Sequence, residues 1–149
     1  MPNLYFAPFL LFVWAVIILI AGCTSDAHAF LFEQLIEFNV EIAPNFRDLL
    51  ITNDIHITNE FYVIQKIGHI YAFGLLFLLL LNWIKRYKIT LMLCGTFAFM
   101  TEVLQLFFSR NGRLFDVGID IVGILFSYVL CRAIFLKTKE VSRYENYAK

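Results

Sequence analysis

Charged side chains are scarce in this sequence. They make up 16% of its 149 residues, whereas a typical soluble domain contains about 25%. Hydrophobic residues make up 60%, and 17 residues are phenylalanine, which is more than one soluble core of this size would bury. The shortage of charge excludes an ordinary soluble domain and indicates a membrane protein, because lipid-facing helix surfaces accept large apolar side chains.

Cysteine is also rare, and the three cysteines, Cys23, Cys94 and Cys131, are an odd number. Two of them lie inside or at the far end of apolar segments, so no disulfide framework is predicted. The formal net charge is 0, there is no internal repeat or low-complexity tract, and nothing points to nucleic acid. We therefore predict a single domain over residues 1–149 that is surrounded by membrane lipids and binds no cofactor. The sequence does not indicate its oligomeric state.

Four apolar stretches are long enough, or nearly so, to cross a membrane. About 20 residues span a hydrocarbon core of about 30 Å, and the stretches cover residues 4–22, 67–84, 90–108 and 114–136. The last two are weaker because Glu102, Asp116 and Asp120 interrupt or edge them. The predicted fold is an all-α integral membrane bundle of four transmembrane helices.

The distribution of charge along the chain predicts the orientation of the bundle. Basic residues cluster in the connector at residues 85–88 and in the tail at residues 137–149, whereas the loop at residues 24–65 is acidic. Because lysine and arginine favour the cytoplasmic side, both termini are predicted to be cytoplasmic and the long loop is predicted to face outward.

Within this outer loop, Glu33, Glu37 and Glu41 recur every four residues, with apolar residues between them. The spacing predicts an amphipathic helix lying on the surface of the bundle or the membrane. A solvated acidic face is its simplest role. Pro44 follows and is expected to end the helix.

The end of the loop contains residues that can cap the start of the second helix. Thr58 or Asn59 is suited to cap the helix that follows. The two loop histidines, His28 and His56, are most simply surface residues.

Cys23 follows Ile20, Ala21 and Gly22, and this order resembles a bacterial lipoprotein cleavage site. Cleavage would remove the first helix and leave a lipidated Cys23 outside the cell. However, residues 1–9 contain no lysine or arginine, whereas a secretory signal normally begins with a positive segment. A retained transmembrane helix that ends in small residues is the alternative.

Polar side chains within the spans are the main indication of a functional site, because an ionised group in a bilayer costs at least about 2.5–3.5 kcal/mol. Glu102 lies about two turns inside the outer end of the third span, and Gln105 falls on the same helical face. Asp116 and Asp120 are stacked at the start of the fourth span, followed on the same stripe by Gly123. Glycine there lets a neighbouring helix approach closely.

Cations accompany these groups. Lys66 and His69 lie on one face at the start of the second span, and Arg110 and Arg113 lie in the tight connection before the fourth. An up-and-down topology brings all of them to the outward end of the bundle, where they would compensate the carboxylates. The cluster is either a ligand-binding site or a structural salt-bridge network.

The order and spacing of these groups resemble the VanZ-like family. The resemblance covers about residues 65–130, and the ordered set is more specific than any one pair. Asp120 occupies a position that is often asparagine in the family, and the distance from Gln105 favours Arg110 over Arg113 as the family's arginine. The residues that carry the resemblance are Lys66, His69, Glu102, Gln105, Arg110, Asp116, Asp120 and Gly123.

The resemblance implies a small multi-pass protein of the bacterial cytoplasmic membrane. The family's namesake confers low-level resistance to the glycopeptide teicoplanin, while the biochemical activity of the family is not established. We therefore expect a protein that binds, or limits access to, an envelope molecule such as a lipid-linked cell-wall precursor or a glycopeptide antibiotic.

Other classes of function use the same residues. A membrane enzyme acting on a lipid-linked headgroup would use His69, Glu102 or the aspartate pair as acid and base, although a nucleophile is hard to find. One histidine with several carboxylates is a weak signal for a divalent metal, so no metal is predicted. A proton conduit is disfavoured because residues 75–81 and 125–130 offer almost no polar path.

Overall fold

Helices form nearly all of the regular structure. The computed structural model describes residues 6–52 and 58–147, with side chains for residues 7–52 and 58–135. Within these residues it has four α-helices and no strand: α1 (Phe6–Cys23), α2 (Glu60–Ile84), α3 (Tyr87–Leu106) and α4 (Leu114–Tyr147). A π-helical turn (Ala29–Glu33) and a 3₁₀ turn (Phe46–Leu50) lie between α1 and α2. The predicted all-α bundle of about four helices is confirmed.

The helix ends follow local capping signals. The side chain of Asn59, one of the two predicted caps, accepts a hydrogen bond from the Tyr62 backbone at 3.3 Å, so α2 begins earlier than the predicted span. Lys85 ends α2 in the left-handed region, with φ of 58°. α4 begins at Leu114 as predicted but continues to Tyr147, beyond the predicted end of the span.

Some of the sequence predictions fall outside the described residues. They concern the start of the first span at Leu4, the loop residue His56, and the side chains of the basic tail.

The lengths of the helices suit a membrane. In the described part of the chain, three helices are long and apolar enough to cross it: Glu60–Ile84, Tyr87–Leu106 and Leu114–Phe135. The apolar part of α1, Ala7–Cys23, is shorter. At 1.5 Å per residue, the 18 residues of α1 still extend about 27 Å, close to the hydrocarbon thickness of about 30 Å.

α2 packs against the other three helices and supplies more buried core residues than any of them. Phe73, Leu76 and Phe77 are buried there, together with Cys94 from α3 and Ile124 from α4. Large apolar side chains elsewhere on the helices are exposed, as expected where lipid rather than water covers the outer surface.

The closest helix pair is α2 with α4. A Cβ atom built at Gly123 would overlap the backbone carbonyl of Ile70, and one built at Gly74 would lie 2.9 Å from Ser127 Oγ. The backbones can approach this closely only because neither glycine carries a side chain. This contact determines how the polar residues of α2 and α4 face each other one to two turns away.

α1 is an integral part of the bundle. The indole Nε1 of Trp14 donates a hydrogen bond to the Ala72 carbonyl of α2 at 2.9 Å, and Ile18 is buried in the core. Cys23 is buried at the end of the helix. Cleavage before Cys23 would remove the Trp14 and Ile18 contacts.

The predicted surface helix through Glu33, Glu37 and Glu41 is wrong. The backbone leaves the helical region at Gln34, whose φ is 57°, and no helix is assigned at residues 34–45. The reason is that this segment pairs with other parts of the chain: the Glu37 carbonyl accepts the Ser25 N–H at 2.8 Å, and the Glu41 N–H donates to the Phe107 carbonyl at 2.8 Å. These bonds replace those of a helix.

Candidate ligand-binding site

The polar residues gather at one end of the bundle, which we call the polar end. There α1 and α3 finish, α2 and α4 begin, and residues 24–52 lie across the helix ends. Ser25 Oγ donates to the Phe108 carbonyl at 3.2 Å, and Ser109 Oγ donates to the Asn39 carbonyl at 3.3 Å. The long segment is therefore attached to the α3–α4 loop.

Lys66 and Asp116 form an ion pair between α2 and α4. Their Nζ and Oδ1 atoms are 2.5 Å apart, and the side chains are only 12% and 6% exposed. The Lys66 ammonium also lies 4.6 Å from the centre of the Tyr62 ring, a geometry that favours a cation. The pair links the two closely packed helices where they enter the polar end.

His69 and Asp120 form a second link one turn deeper. His69 Nδ1 is 2.8 Å from Asp120 Oδ1, and the Asp120 side chain is fully buried. Because 66 to 69 and 116 to 120 are each about one helical turn, the two links lie one above the other along the α2–α4 contact. The hydrogen bond orients the imidazole.

Glu102 brings α3 into the same cluster. It is fully buried, its Oε1 accepts the Gln105 amide at 3.0 Å, and its Oε2 accepts the Arg113 backbone N–H at 2.9 Å. The candidate ligand atoms of His69, Glu102 and Asp120 all lie within 4.8 Å of one another. Side chains from three helices therefore converge on one point.

Arg110 lies above this point, in the loop between α3 and α4. Its guanidinium donates to the Thr24 carbonyl at the end of α1 at 2.7 Å. Burial lowers the pKa of Arg110 from its ordinary value, while the charges of Glu102 and Asp26 raise it. Arginine stays protonated at neutral pH, so Arg110 gives the loop a permanent positive charge.

The close fit of this loop requires Gly112. A Cβ atom built there would overlap the Glu102 carbonyl. Glycine therefore lets the loop pass directly against α3, which brings the Arg113 backbone N–H within hydrogen-bonding distance of the Glu102 carboxylate.

A polar cavity of about 510 Å³ opens at the polar end, within the range of about 300–1,000 Å³ that is typical of ligand sites. Lys66, Arg110 and Arg113 contribute cationic groups to its wall, and Asp26 and Asp116 contribute carboxylates. The exposed Asp26 carboxyl has a pKa held below its ordinary value, chiefly by the hydrogen bond from the Ala29 backbone.

A second, mostly apolar cavity of about 240 Å³ lies beside the first, between α1, α2 and α3. Ile18, Phe30, Phe73 and His69 are among the residues that line it. The two cavities share Ala27, Gln65 and Arg110 as lining residues. Arg110 therefore lies at the boundary between the polar and the apolar cavity.

Comparison with known proteins identifies the family of the chain. The family model described as VanZ/LLP1 matches residues 6–136. The chain belongs to the VanZ/LLP1 family. It is also 39% identical over 136 residues to the Uncharacterized membrane protein YwnJ of Bacillus subtilis (strain 168), a match that covers 90% of this chain and 94% of that protein. No solved structure matches the chain.

The resemblance to the VanZ-like family is thus confirmed, and the structure of this VanZ-family protein locates the residues predicted to form its site. Lys66 is joined to Asp116 and His69 to Asp120. The Gln105 side-chain amide donates a hydrogen bond to the Glu102 carboxylate of the same helix. Of the two loop arginines, Arg110 extends toward α1 with its side chain and borders both cavities, while Arg113 contacts Glu102 through its backbone.

Sequence reasoning missed two residues of the candidate site in this VanZ-family protein. Gln65 lies in the wall of both cavities. The sequence offered a signal for it, because it is a polar residue directly before Lys66 and about one helical turn before His69. Thr24 is fully buried and offers its carbonyl to Arg110. A backbone acceptor carries no signal in the sequence, because every residue has one.

Proposed function

We propose that this VanZ-family protein binds an anionic, amphipathic molecule of the cell envelope at its polar end. The polar cavity would hold the charged headgroup and the apolar cavity the first part of the lipid chain. The observation that carries this proposal is the junction of the two cavities at Arg110 and Gln65. A lipid-linked cell-wall precursor or a lipoglycopeptide has this combination of groups.

The charges of the polar cavity favour an anion on the ligand. Guanidinium and ammonium groups are the usual partners of phosphate and carboxylate. Asp116 already partners Lys66, whereas the side-chain contact of Arg110 is with a neutral carbonyl. Arg110 forms no direct ion pair with the residues that the structure describes, and we assign it the main contact with the ligand.

The proposed site also needs the polar end to face away from the cytoplasm. Lys85, Arg86 and Lys88 lie at the turn between α2 and α3, at the opposite end of the bundle, and basic turns are retained in the cytoplasm. Both termini would then be cytoplasmic, in the cytoplasmic membrane of a bacterium. Holding a cell-wall precursor there would limit the access of a glycopeptide antibiotic to it.

Cysteine labelling tests this orientation. Ile42, 90% exposed on the long segment, and Lys88, exposed near the basic turn, are each replaced by cysteine. In intact cells, a membrane-impermeant maleimide should label Ile42→Cys and leave Lys88→Cys unlabelled until the cells are opened, with the parent protein as the blank. Labelling of Lys88→Cys but not Ile42→Cys in intact cells would contradict the orientation.

Binding is tested with purified protein in nanodiscs and two probes, the undecaprenyl-diphosphate-linked muropeptide and teicoplanin. Arg110→Ala should weaken binding of the probe that the wild type prefers by at least about tenfold, because a hydrogen bond to a charged group contributes about 1.5–3 kcal/mol. The matched control is Arg47→Ala, which removes an exposed arginine that lines neither cavity.

The outcomes of this experiment separate the binding site from a merely structural cluster. Equal binding by wild type and a well-folded Arg110→Ala protein would overturn the proposal, as would failure of the wild type to bind either probe. A loss in both arginine variants would assign the effect to overall charge rather than to the site, and would also count against it.

A further inference from the structure

We propose that His69, Glu102 and Asp120 form a binding site for one divalent transition-metal ion, at the floor of the polar end. The residues come from α2, α3 and α4, and their candidate ligand atoms lie within 4.8 Å of one another. Side chains so far apart in sequence meet at one point only because the fold brings them there. An imidazole with two carboxylates is a set of donors that zinc and similar ions accept.

The charge balance of the cluster is the first physical reason. Glu102 and Asp120 are both fully buried, and burying an uncompensated carboxylate is costly. Lys66 is engaged by Asp116, and Arg110 directs its guanidinium to the Thr24 carbonyl. When both carboxyls are ionised, they carry more negative charge than one imidazole can offset, and a divalent cation would neutralise the difference.

An unused acceptor within the cluster is the second and independent reason. Asp120 Oδ1 lies beside His69, but Asp120 Oδ2 is buried and accepts no hydrogen bond from the residues that the structure describes. Buried polar atoms are normally satisfied, and an exception calls for an explanation such as a water or an ion. An ion held by this carboxylate would satisfy Oδ2.

The surroundings also suit a metal ligand set. Gln105 and the Arg113 backbone each donate one hydrogen bond to a different oxygen of Glu102, and such contacts orient a ligating carboxylate. Each oxygen keeps further acceptor capacity. His69 also borders the apolar cavity, which gives an open coordination position a route to a ligand. Zinc is the ion we assign, because it tolerates mixed nitrogen and oxygen ligands at an open site.

Zinc binding is measured on wild-type protein purified in detergent with a tag that contains no histidine. The protein is stripped with a chelator, equilibrated with Zn²⁺ and analysed for bound metal. We expect one Zn²⁺ per chain. Because loss of an outer partner alone costs about 10–100-fold in metal affinity, His69→Asn and Asp120→Asn should each raise the Kd by more than about 100-fold. His28→Asn, which removes an exposed histidine outside the cluster, should leave it unchanged.

X-ray absorption on the zinc-loaded wild type gives a reading that does not depend on whether a variant folds. The expected coordination shell of the zinc contains one imidazole nitrogen, and the other protein ligands are carboxylate oxygens. A wild type that retains no zinc, a shell without imidazole, or zinc that His28→Asn removes and His69→Asn does not, would overturn the site. The measurement uses no lipid ligand, so it succeeds or fails independently of the proposed binding function.

Discussion

Replacing Gly123 by alanine should strongly destabilise the bundle, and replacing it by leucine should prevent the native fold. The added Cβ would overlap the backbone of Ile70, which cannot rotate away as a side chain can. Overpacking of a dense interior typically costs about 1–3 kcal/mol, occasionally more, and we expect the upper end for Gly123→Ala because a backbone must move. Thermal unfolding of the purified protein in detergent measures the effect as a fall in Tm.

Gly118 provides the matched control on the same helix. A Cβ atom built at Gly118 meets nothing within 4 Å, so Gly118→Ala adds the same methyl group to α4 without a clash. Alanine is about 1 kcal/mol more favourable than glycine within a helix, and the variant should be at least as stable as the parent. Similar Tm values for Gly123→Ala and Gly118→Ala would show that the α2–α4 approach does not depend on Gly123.

Lys66→Met is the second substitution with a large expected effect. It leaves the Asp116 carboxylate, whose side chain is 6% exposed, without its cation. Removing one partner of a buried ion pair costs about 3–5 kcal/mol. We expect the lower end of this range, because Lys66 lies near the end of its helix and retains some exposure. The variant should unfold at a lower temperature than wild type.

The double variant Lys66→Met/Asp116→Leu distinguishes a lost pair from lost packing. It removes both charges together, so much of the stability should return, since apolar replacement of a buried pair is often close to neutral. Lys85→Met is the control at the other end of α2, where the ammonium contacts Asn82 in an exposed setting; surface changes of this kind usually stay within about 0.5 kcal/mol. A double variant less stable than Lys66→Met alone would contradict the ion-pair explanation.

The helices and the gathering of the polar groups could be predicted from the sequence. Long apolar runs can satisfy their backbone groups in lipid only as helices, and Asn59 is a recognisable cap. Once four helices alternate in direction, the start of α2, the end of α3 and the start of α4 must lie at the same end. Lys66, Glu102 and Asp116 could thus be grouped before their contacts were known.

The partners within the cluster and the form of the long segment could not be predicted. Which cation faces which carboxylate depends on the rotation of α2 against α4, and that rotation follows from the approach at Gly123. The regular spacing of the glutamates suggested a helix, but the backbone bonds from this segment to Ser25 and Phe107 depend on distant parts of the chain. The cavities depend on the same long-range contacts.

The hydrogen bond from Arg110 to the Thr24 carbonyl has a consequence for the thermodynamics of recognition. A long, flexible side chain normally loses conformational entropy when it closes on a ligand, at a cost of about 0.5–1.5 kcal/mol. Here one edge of the guanidinium is already held by the end of α1, so much of that ordering occurs during folding. Such preorganisation favours tight association even with a small anion.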